Sequence, residues 1–166
     1  MTMIRAARIL VVLAAWMCTA GACGGSAAQR DGAEAAPIAG ESSTLRVAGR
    51  YEPLAIDRVD RLAREDGAIV VKGSTGSVPI DVPPQIDLSQ PNPSWRLVTE
   101  TAAGDTRRLT FTHGTTLEEF SIALPASTAE LHYGAFLSTG GGSVLVFAWG
   151  GDSRCYWGYV TIARSA

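Results

Sequence analysis

Three residues of this chain carry nucleophile or base chemistry: Cys155, His132 and His113, with Asp152 as an acid that would orient a base. A thiol within hydrogen-bond reach of an imidazole is a nucleophile, and a Cys/His hydrolase is the reaction class this set implies. No local signature accompanies them. The chain has neither a Gly-x-Ser-x-Gly elbow nor a His-Glu-x-x-His pair. Lys72-Gly73-Ser74 reverses the order a phosphate loop needs and reads as a strand end and turn. His113 stands before Gly114 as a solvated turn residue, and His132 alternates outward between Leu131 and Tyr133. Two histidines without a cysteine or acid pair at ligand spacing make no metal site, and no cofactor is implied.

The densest concentration of large side chains lies in the last forty or so residues, where Trp149, Arg154, Tyr156 and Trp157 form a candidate binding surface. Aromatic rings on an open sheet stack on sugars and anchor protein interfaces, because they offer large area at low entropy cost. With residues 150–153 as a hairpin loop, Ala148 opposes Cys155, Val146 opposes Trp157 and Val144 opposes Tyr159. Leu145, Phe147, Trp149, Arg154 and Tyr156 then share the other face. Both faces are apolar. Either the hairpin is covered on both sides and its rings are core, or one face is an open surface for a protein or glycan.

These residues need a scaffold, and the chain reads as short strands separated by turn residues from Leu45 onward. Ala68 to Lys72 and Ser77 to Val82 are strands. Trp95 to Thr101, Arg107 to His113, Leu117 to Leu124, Leu131 to Leu137, Ser143 to Trp149 and Arg154 to Ile162 follow as hairpins. One segment departs from this pattern. Between Pro53 and Glu65, Ile56, Val59, Leu62 and Ala63 recur at helical spacing, with Asp57/Arg61 and Asp60/Arg64 as acid-base pairs four apart, so one short helix is expected, stopped by Asp66-Gly67. The fold class is all-β, an antiparallel sandwich or barrel with one short helix. Val78 to Pro83 and Phe120 to Pro125 echo one another as strands ending in proline.

The N-terminus places the domain. Met1 to Arg8 is basic, Ile9 to Met17 apolar and too short to span a bilayer, and Ala20-Gly21-Ala22 precedes Cys23. This arrangement resembles the lipobox of bacterial lipoproteins, which implies that Cys23 is acylated and that residues 1–22 are a signal peptide. Ala20 occupies the position where the lipobox usually has Leu, and Ala20-Gly21-Ala22 also suits the ordinary secretory peptidase. In that case a soluble secreted form results, and Cys23 and Cys155 are free to close a loop of about 130 residues worth up to about 5 kcal/mol. Residues 23–43 read as a flexible tether, poor in large apolar side chains, before a globular domain over 44–166. Gly24, in place of an aspartate after the cysteine, favours an outer-membrane anchor facing the periplasm.

Charge excludes one class of partner. Of 14 basic residues Arg5 and Arg8 leave with the signal, against 16 acidic residues that remain, and Lys72 is the single lysine. Nucleic acid is therefore not a partner. Arg107-Arg108 reads as a solvated face. Pro83, Pro84, Pro91 and Pro93 mark a loop leading to Trp95. Within it Gln90-Pro91-Asn92-Pro93-Ser94-Trp95 resembles the Asn-Pro loop of the chagasin-like cysteine-protease inhibitors. The Gly-x-Gly-Gly and Arg-Pro-Trp segments of that family are not matched, so its activity does not carry over. The expectation is an exported, lipid-anchored envelope protein acting by binding or as a structural component. A secreted protease inhibitor that presents residues 83–94 as an exposed loop, and a Cys/His hydrolase, are the alternatives.

Overall fold

A computed structural model describes residues 35–150 and 154–165. The signal segment, Cys23 and Asp152 lie outside the described residues. The chain is all-β, with β1 (Ala36–Glu41), β2 (Leu45–Leu54), β3 (Arg61–Glu65), β4 (Ala68–Lys72), β5 (Ser77–Ile80), β6 (Ile86–Pro91), β7 (Trp95–Ala103), β8 (Thr106–His113), β9 (Glu119–Pro125), β10 (Leu131–Ser138), β11 (Ser143–Gly150) and β12 (Cys155–Arg164). Nine strands make one curled antiparallel sheet in the order β6-β10-β11-β12-β2-β1-β9-β8-β7, and β3-β4-β5 make a second.

The curl turns on β1. Its first residues pair with β2 (Ile38 with Gly49), and its last two pair with β9 (Gly40 with Ile122). Gly40 permits this crossing, because a Cβ there would overlap the side chain of Val47. Residues 36–41 are therefore not tether, as their composition suggested. β1 contributes backbone hydrogen bonds to both neighbours and only Ile38 to the core, a role that composition does not reveal.

Two cores result. The inner core, enclosed by the curled sheet, holds Leu109, Phe111, Phe120, Ile122, Leu145, Phe147, Trp149 and Val160. The outer core lies between the opposite face of β11-β12-β2 and the small sheet, where Val144, Val146, Ala148, Cys155 and Trp157 meet Ile69, Val71 and Ile80.

The expected helix over 53–65 does not form, and the described residues contain none. Pro53 and Leu54 finish β2, paired with Tyr156 and Cys155, and Arg61–Glu65 is β3. Asp66 and Gly67 both have positive φ (49° and 80°), the geometry of a two-residue hairpin turn rather than a helix stop. Val59 is buried and Ile56 and Leu62 are half-buried, all against the outer core, so the apolar spacing does its packing in an extended chain. The expected ion pairs are replaced by Asp60 on Arg58 and by Asp57 on Ser74 and Thr75. A segment this short gains little from helix formation alone and yields to strand pairing.

Several smaller expectations are also corrected. The β11-β12 register is shifted, each residue facing a partner two positions from the expected one: Gly150 opposes Cys155, Ala148 opposes Trp157 and Val146 opposes Tyr159. A two-residue slip leaves every side chain on its face, which is why the two faces were assigned correctly. The Val78–Pro83 and Phe120–Pro125 echo is no structural repeat. β5 is an edge of the small sheet, and β9 is interior to the large one. Arg107 is buried at 2% exposure, unlike Arg108, which is exposed and paired through both nitrogens with Glu41.

Candidate functional site

The thiol and the imidazoles do not meet. Cys155 opens β12 and lies buried in the outer core, a free thiol. His132 opposes Ala148 on β10, so the whole of β11 stands between it and β12, a separation of about 10 Å. His113 ends β8 and lines a hollow with Arg164, at the far end of β12, about 30 Å from Cys155. Its Nδ1 accepts the backbone N–H of Thr116 at 3.2 Å, so it serves as a cap for the turn that follows β8. Burial pushes the Cys155 thiol above its ordinary range, the Asp57 charge adds to this, and a hydrogen bond from the Val59 backbone opposes it. A thiol so held is a poor nucleophile.

The aromatic hairpin is core. Trp149 is fully buried and Trp157 is 5% exposed, so neither indole can present a ligand surface. Trp149 stacks on Tyr156 (5.2 Å, 22°) and meets Tyr51 edge-on, all inside the curled sheet. Tyr156 is half-buried in this cluster and Arg154 is exposed. The four residues expected as one surface are thus divided between core and solvent.

The open aromatic surface lies where the large sheet fails to close. Its end strands are β6 and β7, but β6 covers only the last residues of β10, with Phe136 opposite Pro91 and Ser138 opposite Ile86. Leu88, Ser89 and Gln90 bulge out between two consecutive β10 partners. Asp87 holds that bulge by accepting from the Ser89 N–H (2.9 Å) and hydroxyl and from Gln90 Nε2. Those bonds, with the Arg64 charge nearby, depress its carboxyl below the usual range. The segment 83–94 is thus half edge strand and half exposed bulge rather than one free loop.

Beyond the bulge a cleft of about 420 Å³ runs between β10 and β7, lined by Pro91, Pro93, Trp95, Arg96, Tyr133, Gly134, Ala135 and Phe136. One residue bridges it. Tyr133 points to the inner core with its partner Phe147, meets Phe111 edge-on at 5.4 Å, and its hydroxyl accepts the backbone N–H of Leu97 at 3.2 Å. Leu97 precedes a bulge in β7 at which Val98 is 55% exposed. Asn92 donates to the outward carbonyl of Ala135. A smaller hollow of about 130 Å³ lies beneath β3 and shares Tyr133, Gly134 and Phe136 with the cleft.

The polar inventory of the cleft is short. Arg96 is exposed at its rim and forms no ion pair among the described residues, whereas six other cations do. Trp95 is 4% exposed, and its indole N–H is buried without an acceptor. An orphaned buried donor is uncommon and calls for an explanation. Among the described residues no group of three or more His, Cys, Asp or Glu is placed to hold a metal.

Sequence reasoning missed Tyr133, Phe136, Trp95 and Arg96 as a site. The available signal was the cluster of prolines before Trp95, which marks a crossing from one sheet edge to another. Compared with known protein families, with curated proteins and with solved structures, the chain matches none.

Proposed function

We propose that this chain is an exported envelope protein, anchored by a lipid on Cys23 and acting as a binding module through the cleft between β7 and β10. The observation that carries the binding part is the cleft itself. It is an aromatic and proline-lined opening of a size that holds small molecules, set between rigid strands. The anchoring part rests on the lipobox-like segment that ends at Cys23.

Two measurements test the two parts. The intact mass of the protein from its native membrane fraction is expected to show acyl chains on a chain that begins at Cys23. An unacylated mass would replace the anchor with secretion. For binding, a panel of small aromatic and aliphatic compounds is titrated into the ¹⁵N-labelled chain from residue 23 carrying Cys23→Ser. Shifts confined to residues 91–97 and 133–136 are expected. A panel that moves none of them removes the cleft as the site.

A further inference from the structure

We infer that the ligand of this cleft is a small aromatic carboxylate, a reading that rests on the cleft being the binding site. Two observations point to one chemistry. The walls are rings: Trp95, Tyr133 and Phe136, with the flat faces of Pro91 and Pro93. Such walls favour an aromatic body, since ring pairs in edge-on or offset contact gain about 0.5–1.5 kcal/mol beyond the area they bury. The rim carries Arg96, a guanidinium with no acid beside it among the described residues.

Arg96 lines the cleft from β7. It follows the buried Trp95 in the strand, so its side chain points to the opposite face and reaches the rim. A carboxylate accepts from the guanidinium fork through both of its oxygens. A neutral alcohol supplies a single weaker acceptor, and a cation would meet Arg96 as a like charge. The lining of the cleft contains no acid, and no carboxylate among the described residues pairs with Arg96.

The test compares 3-phenylpropionate with 3-phenylpropanol and with octanoate, titrated into the labelled Cys23→Ser chain. The acid is expected to bind about tenfold more tightly than the alcohol, as one charge-assisted contact allows. Arg96→Met, at an exposed position, is expected to reduce that ratio to about twofold while leaving the alcohol unchanged. Equal binding of acid and alcohol, or a ratio unaffected by Arg96→Met, overturns the carboxylate and leaves the cleft standing. Octanoate binding about tenfold more tightly than 3-phenylpropionate overturns the aromatic body. If none of the three compounds moves residues 91–97 or 133–136, both this inference and the cleft reading fall.

Discussion

The β11-β12 hairpin and the β7-β10 seam are both aromatic, yet only one is open. In the hairpin, Trp149 and Trp157 point to opposite faces, and each face is covered, one by the rest of the curled sheet and the other by β3-β4-β5. At the seam, Tyr133 touches the inner core through Phe111, yet it is 37% exposed, and β6 stops short of it. Ring density therefore records how much surface is buried, and openness is set by where strand pairing ends. A site on this sheet is found by locating unpaired edges rather than by counting aromatic residues.

The comparison breaks first if the hairpin proves tolerant. Trp149→Ala removes a fully buried indole at the centre of the inner core and is expected to cost about 3–5 kcal/mol, read from denaturant unfolding. Tyr133→Ala is expected to cost much less, because its ring already faces solvent on one side. Similar losses at the two positions would mean that the seam is closed in solution and that the cleft is not available to a ligand.

A second test concerns the lid of the inner core. Arg107 Nε lies 2.7 Å from Glu100 Oε1, an ion pair off the hydrogen-bond axis, and Nη1 donates to the Ala129 carbonyl at 2.9 Å. Arg107→Met keeps the apolar stem and removes both contacts, for an expected loss of about 2–3 kcal/mol. Glu100→Gln leaves the buried guanidinium without its counter-charge and is expected to lose a similar amount. Loss of the pair without change in stability would show that this end of the sheet is held by packing alone.

The seam is sharpened by a smaller change. Tyr133→Phe deletes only the acceptor of the Leu97 N–H and is expected to cost about 1 kcal/mol. Amide exchange distinguishes the cause, with faster exchange expected at Leu97 and unchanged protection at Phe147 and Val160. Protection of Leu97 that survives the substitution would assign its N–H to another partner.

Much of this was legible from residue order. Apart from β6, which the prolines mark as loop, the strands from Ala68 onward follow their alternation and turns, and β4 (Ala68–Lys72) has the expected limits. Asp66-Gly67 was visible but ambiguous, because a helix stop and a hairpin turn use the same residues, and only pairing with β4 decides between them. The site was not legible. Nothing local to Tyr133 says that its neighbouring edge lacks a full strand, since that depends on a three-residue bulge in β6 more than forty positions away. Cys155 and His132 are the residue types of a nucleophile and its base, and that β11 stands between them is a fact of sheet order.

The smallest expected effect concerns Cys155, and its sign follows from burial. The folded thiol is held above the ordinary range, which is near 9.0, chiefly by desolvation. The unfolded chain therefore loses its proton first as pH rises. Stability from this group is fully present below the unfolded thiol's pKa and is lost as pH climbs through the higher folded value. The native protein is expected to resist alkylation at pH 8 and to react once unfolded in denaturant, as a packed hydrophobe would. Cys155→Ala, which cannot titrate, is expected to remove the alkaline part of the stability loss while slightly lowering stability at neutral pH. Rapid alkylation of the native thiol would instead open the outer core at Leu54 and Val59, making the hairpin rather than the seam the accessible region.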